Sequence, residues 1–68
     1  MGYRVTHNGM EIEYRNNIAE VNTYIDDCIS KYSYLNPTLL YNYKIGKAHI
    51  LIYRYYTLYS EMFLIEEV

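Results

Sequence analysis

Few side chains in this sequence have the chemistry for catalysis or metal binding: His7, His49, Cys28 and the neighbouring pair Asp26-Asp27. None sits in a pattern that such chemistry requires. The two histidines are far apart in the chain, and Cys28 has no Cys-x-x-Cys or His-x-x-x-His companion, so no metal-ligand spacing exists. His7 lies beside a turn, where it reads as a partly exposed strand residue, and His49 follows a second turn. Each reads as a structural residue near a turn and not as a general acid or base. Cys28 falls in the apolar stripe of a helix, where a free thiol behaves as a small hydrophobe. Asp26-Asp27 fits a solvated helix face better than an acid/base pair. Gly9 and Gly46 are isolated turn glycines and do not form a phosphate loop. The expectation is a protein that is not an enzyme and uses no cofactor and no metal.

The elements that carry these residues follow from hydrophobic period and turn chemistry. Residues 3–7 and 10–15 alternate in period two around Asn8-Gly9, a dipeptide suited to a type I′ turn. A two-residue loop sets His7 opposite Met10, Val5 opposite Ile12 and Tyr3 opposite Tyr14, all on one face. Arg4, Thr6, Glu11, Glu13 and Arg15 then share the other, with Arg4 across from Glu13; a slip by one residue would turn those charges inward. Asn17 is placed to cap a helix, with Glu20 at the third helical position as in a capping box. Ile18, Val21, Ile25, Cys28, Tyr32 and Leu35 repeat every three to four residues, predicting a helix from Ile18 to Tyr34. Asn36-Pro37 ends it.

The C-terminal half predicts strands over Thr38–Lys44, Ala48–Tyr56 and Glu61–Val68. Gly46-Lys47 forms one turn, and a turn without the usual markers lies near Thr57–Ser60. A helical stripe of Tyr55, Leu58, Met62 and Ile65 competes for the last segment, but the β-branched and aromatic residues before it favour strand–turn–strand. The whole is one small α+β domain over residues 1–68, in the order β-β-α-β-β-β, with a mainly antiparallel sheet and one helix packed on one face.

A chain of 68 residues buries only about 60% of its unfolded surface, so its stability is marginal and a homodimer is expected. A lone cysteine, no apolar run of signal-peptide length after Met1 and no transmembrane span suggest a cytoplasmic protein. The net charge of −2 argues against direct nucleic-acid binding. The compositional outlier is tyrosine: 11 residues, against one phenylalanine and no tryptophan. Tyrosines are recurrent interface anchors. With one helix, a sheet face is left uncovered, and Tyr41, Tyr43, Tyr53 and Tyr55 are assigned to it as partner-binding residues. The acidic helix residues Glu20, Asp26 and Asp27 form the second candidate surface.

The opening Tyr-Arg-Val-Thr-His-Asn-Gly-Met-Glu-Ile-Glu-Tyr, followed by an Asn-capped helix, resembles the short hairpin-then-helix proteins of bacteriophages over roughly residues 3–35. Many of these are early host-takeover proteins. The resemblance implies a non-enzymatic protein that binds and inhibits or modulates a bacterial host protein, and it transfers no functional residues. Two alternatives stand beside it. In one, the acids make a DNA mimic that occupies the DNA-binding surface of a host nucleoid or defence protein. In the other, Lys44, Lys47, Arg54 and nearby tyrosines make a nucleic-acid-binding regulator.

Overall fold

The computed structural model describes residues 2–56 and 59–68. In chain order the elements are β1 (Tyr3–His7), β2 (Glu11–Arg15), α1 (Ile18–Ser30), a 3-10 turn (Ser33–Leu35), β3 (Thr38–Ile45), β4 (Ala48–Tyr55) and β5 (Tyr59–Glu67). The strands form one antiparallel sheet in the order β2-β1-β5-β4-β3. This is the α+β class and the β-β-α-β-β-β order expected from the sequence. The last segment is a strand, not a helix. Of the turn expected near Thr57–Ser60, Thr57 and Leu58 lie outside the described residues, and Tyr59 and Ser60 already belong to β5.

The first hairpin closes one residue wider than expected. Asn8 and Gly9 take positive φ of 54° and 72°, and the Met10 N–H donates to the His7 carbonyl at 3.1 Å, so the turn chemistry is as anticipated. Yet His7 pairs with Glu11, Val5 with Glu13, and Tyr3 with Arg15. Asn8 supplies the reason. Its N–H donates to the Met62 carbonyl, and its side-chain oxygen accepts from the Met62 N–H, both at 2.9 Å. Asn8 is thereby tied to β5, and Met10 becomes a third loop residue. The slip reverses the faces of β2. Ile12 and Tyr14 leave the helix side and stand exposed, as does Met10, and Arg4 bonds Glu66 rather than Glu13. Glu13 and Arg15 now face the helix, but they stay half-exposed and pair at 2.9 Å, and Arg15 lies over the Tyr24 ring.

The α1 cap forms as anticipated: the Glu20 N–H donates to the Asn17 side chain at 2.9 Å, and the Glu20 carboxylate accepts from the Asn16 N–H at 3.4 Å. The helix stops at Ser30, short of Tyr34. Tyr32 leaves the helical path, and its ring packs edge-on against Tyr55 and Tyr59, with centroids 5.7 and 6.0 Å away. The buried stripe of the helix is Val21, Ile25 and Cys28. It packs on Val5, Leu51, Phe63 and Ile65, which line the helix side of β1, β4 and β5. Ile18, at the helix start, is exposed. The helix does not reach β3, every residue of which is exposed.

Candidate protein-binding surface

Strand register decides which side chains share the uncovered sheet face. Reading across the pairings, one row runs Ile12, Thr6, Leu64, Ile50, Tyr43, and a second runs Tyr14, Arg4, Glu66, Ala48, Ile45. Met62, Ile52 and Tyr41 extend the face toward the far end of β4 and β3, where Arg54 and Ser60 also lie. Most of these residues are apolar. Ile12, Tyr14, Tyr41, Tyr43, Ile45 and Met62 are exposed, and Ile50, Ile52 and Leu64 are half-buried. Arg4 and Glu66 neutralise each other at 3.1 Å in the middle of the second row, and their ion pair holds the Arg4 guanidinium above its usual pKa. An antiparallel sheet ordinarily solvates one face with polar residues. Here both faces carry many apolar side chains, and exposed apolar patches are candidate interaction sites.

Of the four tyrosines assigned to this face, Tyr41 and Tyr43 are on it, with ring centroids 6.0 Å apart. Tyr53 and Tyr55 are not. Ile50 and Ile52 pair with Tyr43 and Tyr41, so the odd-numbered residues of β4 point to the helix. Tyr53 is half-buried there, edge-on to Phe63 at 6.1 Å, and Tyr55 is 1% exposed. Tyr14, Ile12 and Met62 belong to the surface instead. Their signal was hidden, because Tyr14 and Ile12 change sides with a single-residue shift of the hairpin. The acidic residues Glu20, Asp26 and Asp27 are exposed on α1, away from the sheet face, and Glu20 is engaged in the helix cap.

On the helix side, the structure assembles a polar cluster that sequence spacing could not show. Glu61, from β5, is 2% exposed. Its carboxylate accepts from the Tyr55 hydroxyl and contacts His7 Nε2 at 2.5 Å. The other imidazole nitrogen lies 3.2 Å from the Glu11 carboxylate, and the ring stacks on Phe63 at 4.8 Å. Burial, reinforced by Glu61, pushes the Tyr55 hydroxyl well above its usual pKa. A cavity of about 210 Å³ opens beside His7, Glu11, Cys28, Lys31 and Glu61. Both imidazole nitrogens lie against carboxylates, and the two Glu61 oxygens meet the Tyr55 hydroxyl and the imidazole, so the cluster ties β1, β2, β4 and β5 together. Burial raises the Cys28 thiol, the opposite of nucleophile activation. Among the described residues, no group of three His, Cys, Asp or Glu side chains is placed to hold a metal, and no helix is long and apolar enough to cross a membrane.

No family model, curated protein or solved structure matches this chain.

Proposed function

We propose that this protein is a non-enzymatic binding module whose uncovered sheet face docks on a protein partner, with the exposed acids of α1 as a secondary contact. The observation that carries the proposal is the apolar second face of the sheet, with Tyr41, Tyr43, Tyr14 and Ile12 outward. Rigid aromatic side chains supply contact area at low entropy cost. The resemblance to small bacteriophage proteins suggests a bacterial host protein as the partner and the host cytoplasm as the place of action, with inhibition or modulation as the outcome. The small core also favours a homodimer. The DNA-mimic alternative has less support. Glu61 is buried, Glu66 and Glu13 face arginines, and Glu20 serves the cap, which leaves no continuous acidic row. Nucleic-acid binding is also poorly served, since Lys44 and Lys47 sit at one end of the β3–β4 hairpin and Arg54 at the other.

The test is capture of a specific protein from nuclease-treated bacterial lysate with three forms of the chain. Wild type should retain one protein, also at high salt, and an Asp26→Lys/Asp27→Lys variant should retain the same protein in reduced amount. A Tyr41→Ala/Tyr43→Ala variant should lose it. Loss only with the helix variant, or recovery of nucleic acid alone when the nuclease is omitted, contradicts the proposal.

A further inference from the structure

Of the six asparagines in the chain, Asn8 alone precedes a glycine. Asparagine is among the chemically labile side chains. A following glycine exposes it to its own backbone, because no Cβ hinders the approach of the glycine nitrogen to the side-chain carbonyl carbon. Asn8 and Gly9 are both exposed, and a Cβ on Gly9 would meet nothing within 4 Å, so the pair stands open to water. The fold nevertheless holds the asparagine. Its N–H donates to the Met62 carbonyl and its side-chain oxygen accepts from the Met62 N–H, both at 2.9 Å. These bonds fix the amide against β5. Bringing Cγ of Asn8 onto the Gly9 nitrogen requires the amide to swing away from β5 and break the side-chain bond.

We infer that Asn8 is a site of non-enzymatic deamidation, held in check by its two hydrogen bonds to Met62 and released when that end of β1 separates from β5. The step needs only water. The Gly9 nitrogen loses its proton to solvent base and attacks Cγ of Asn8. The new C–N bond closes a cyclic imide, and the side-chain nitrogen takes up a proton and leaves as ammonia. Water then opens the ring at either carbonyl, giving aspartate or isoaspartate with no change of oxidation state. In isoaspartate the chain runs to Gly9 through Cβ and Cγ, one atom longer than before, and the free carboxylate sits on Cα. The oxygen that accepted from the Met62 N–H then belongs to the main-chain link, in a loop whose width that bond had set. Either product also adds a carboxylate beside His7, whose ring already lies between Glu11 and Glu61. Asn8 lines the same cavity as these three residues. The isoaspartyl chain does not re-form the tie to β5, so the modification is a lasting mark of how often the hairpin has opened.

Incubation at mildly alkaline pH, followed by peptide mapping with mass spectrometry, tests the site. In the guanidinium-unfolded chain, Asn8 should be the first asparagine to exchange its side-chain NH2 for OH. In the folded protein the same exchange should run at least ~10-fold slower, the protection that two ordinary hydrogen bonds provide. Deuterium exchange at the Met62 amide reports the same opening, so its protection and the slowing at Asn8 should agree within about threefold. In the isolated isoaspartyl form the Met62 amide should exchange at least ~10-fold faster than in the unmodified protein. Earlier conversion of another asparagine in the unfolded chain overturns the site. Conversion of Asn8 as fast in the folded protein as in the unfolded chain, or much faster than Met62 opening allows, overturns the control by β5. A Met62 amide equally protected in the isoaspartyl form overturns the loss of the tie.

Discussion

Glu61 shows how one residue can change meaning between sequence and structure. One of eight acids in the chain, it carries no sequence signal that sets it apart, yet its carboxylate is buried and joins His7 to Tyr55. The partners come from β1 and β4, so nothing in the local sequence around Glu61 reveals them. His7, by contrast, was correctly placed on a strand beside a turn; its engagement by two carboxylates appears only once β5 is laid alongside β1. The buried hydroxyls and thiol make a pH prediction. Burial raises Tyr55 and Tyr24 above the usual 10.0; Tyr53 moves the same way, and burial raises Cys28 above 9.0. A group whose pKa is higher in the folded state stabilises the fold fully below its unfolded value and loses that contribution as pH rises toward the folded one. The urea midpoint should therefore start to fall above about pH 9 and fall more steeply above about pH 10. A midpoint unchanged to about pH 11 would show that these groups are freely solvated.

At the scale of elements, the helix cap, the order of elements along the chain and the one-sided helix were legible in the sequence because each rests on residues near one another in the chain. Asn17 and Glu20 are three residues apart, and the Gly46 turn is flanked by its own two strands. The faces of the strands were not legible. β4 is apolar on both sides, so Ile50 and Ile52 could not be told from Tyr53 and Tyr55 by pattern, and the choice went the wrong way. The hairpin failed for a different reason. Asn-Gly allows both loop widths, and the deciding bonds run from Asn8 to Met62 at the opposite end of the chain. The register has a mutational signature. Ile12→Asp places a carboxylate on an exposed site and should change stability by within about 0.5 kcal/mol, whereas Val5→Ala opens a cavity under the helix and should cost about 2 kcal/mol. Under the narrower loop Ile12 would face α1, and Ile12→Asp would cost several kcal/mol; chemical denaturation of the two variants separates the registers.

For the molecule as a whole, the decisive feature is an imbalance of layers. One helix covers β1, β5 and part of β4, leaving a second apolar face and an entire edge strand in water. Marginal small domains commonly cover such surfaces with another chain, which is why the account places function on the sheet and not in the cavity beside His7. Tyrosine chemistry reports on both halves of that claim. The direct measurement is nitration of the tyrosines, mapped by mass spectrometry, in the free protein and in the complex captured from lysate. Free protein should be modified at Tyr14, Tyr41 and Tyr43 on the sheet face and at Tyr34 near the 3-10 turn, with Tyr55 untouched. In the complex, Tyr14, Tyr41 and Tyr43 should become protected while Tyr34 stays reactive. Ready nitration of Tyr55 in the free protein, or a complex in which Tyr41 and Tyr43 stay fully reactive, would contradict the account.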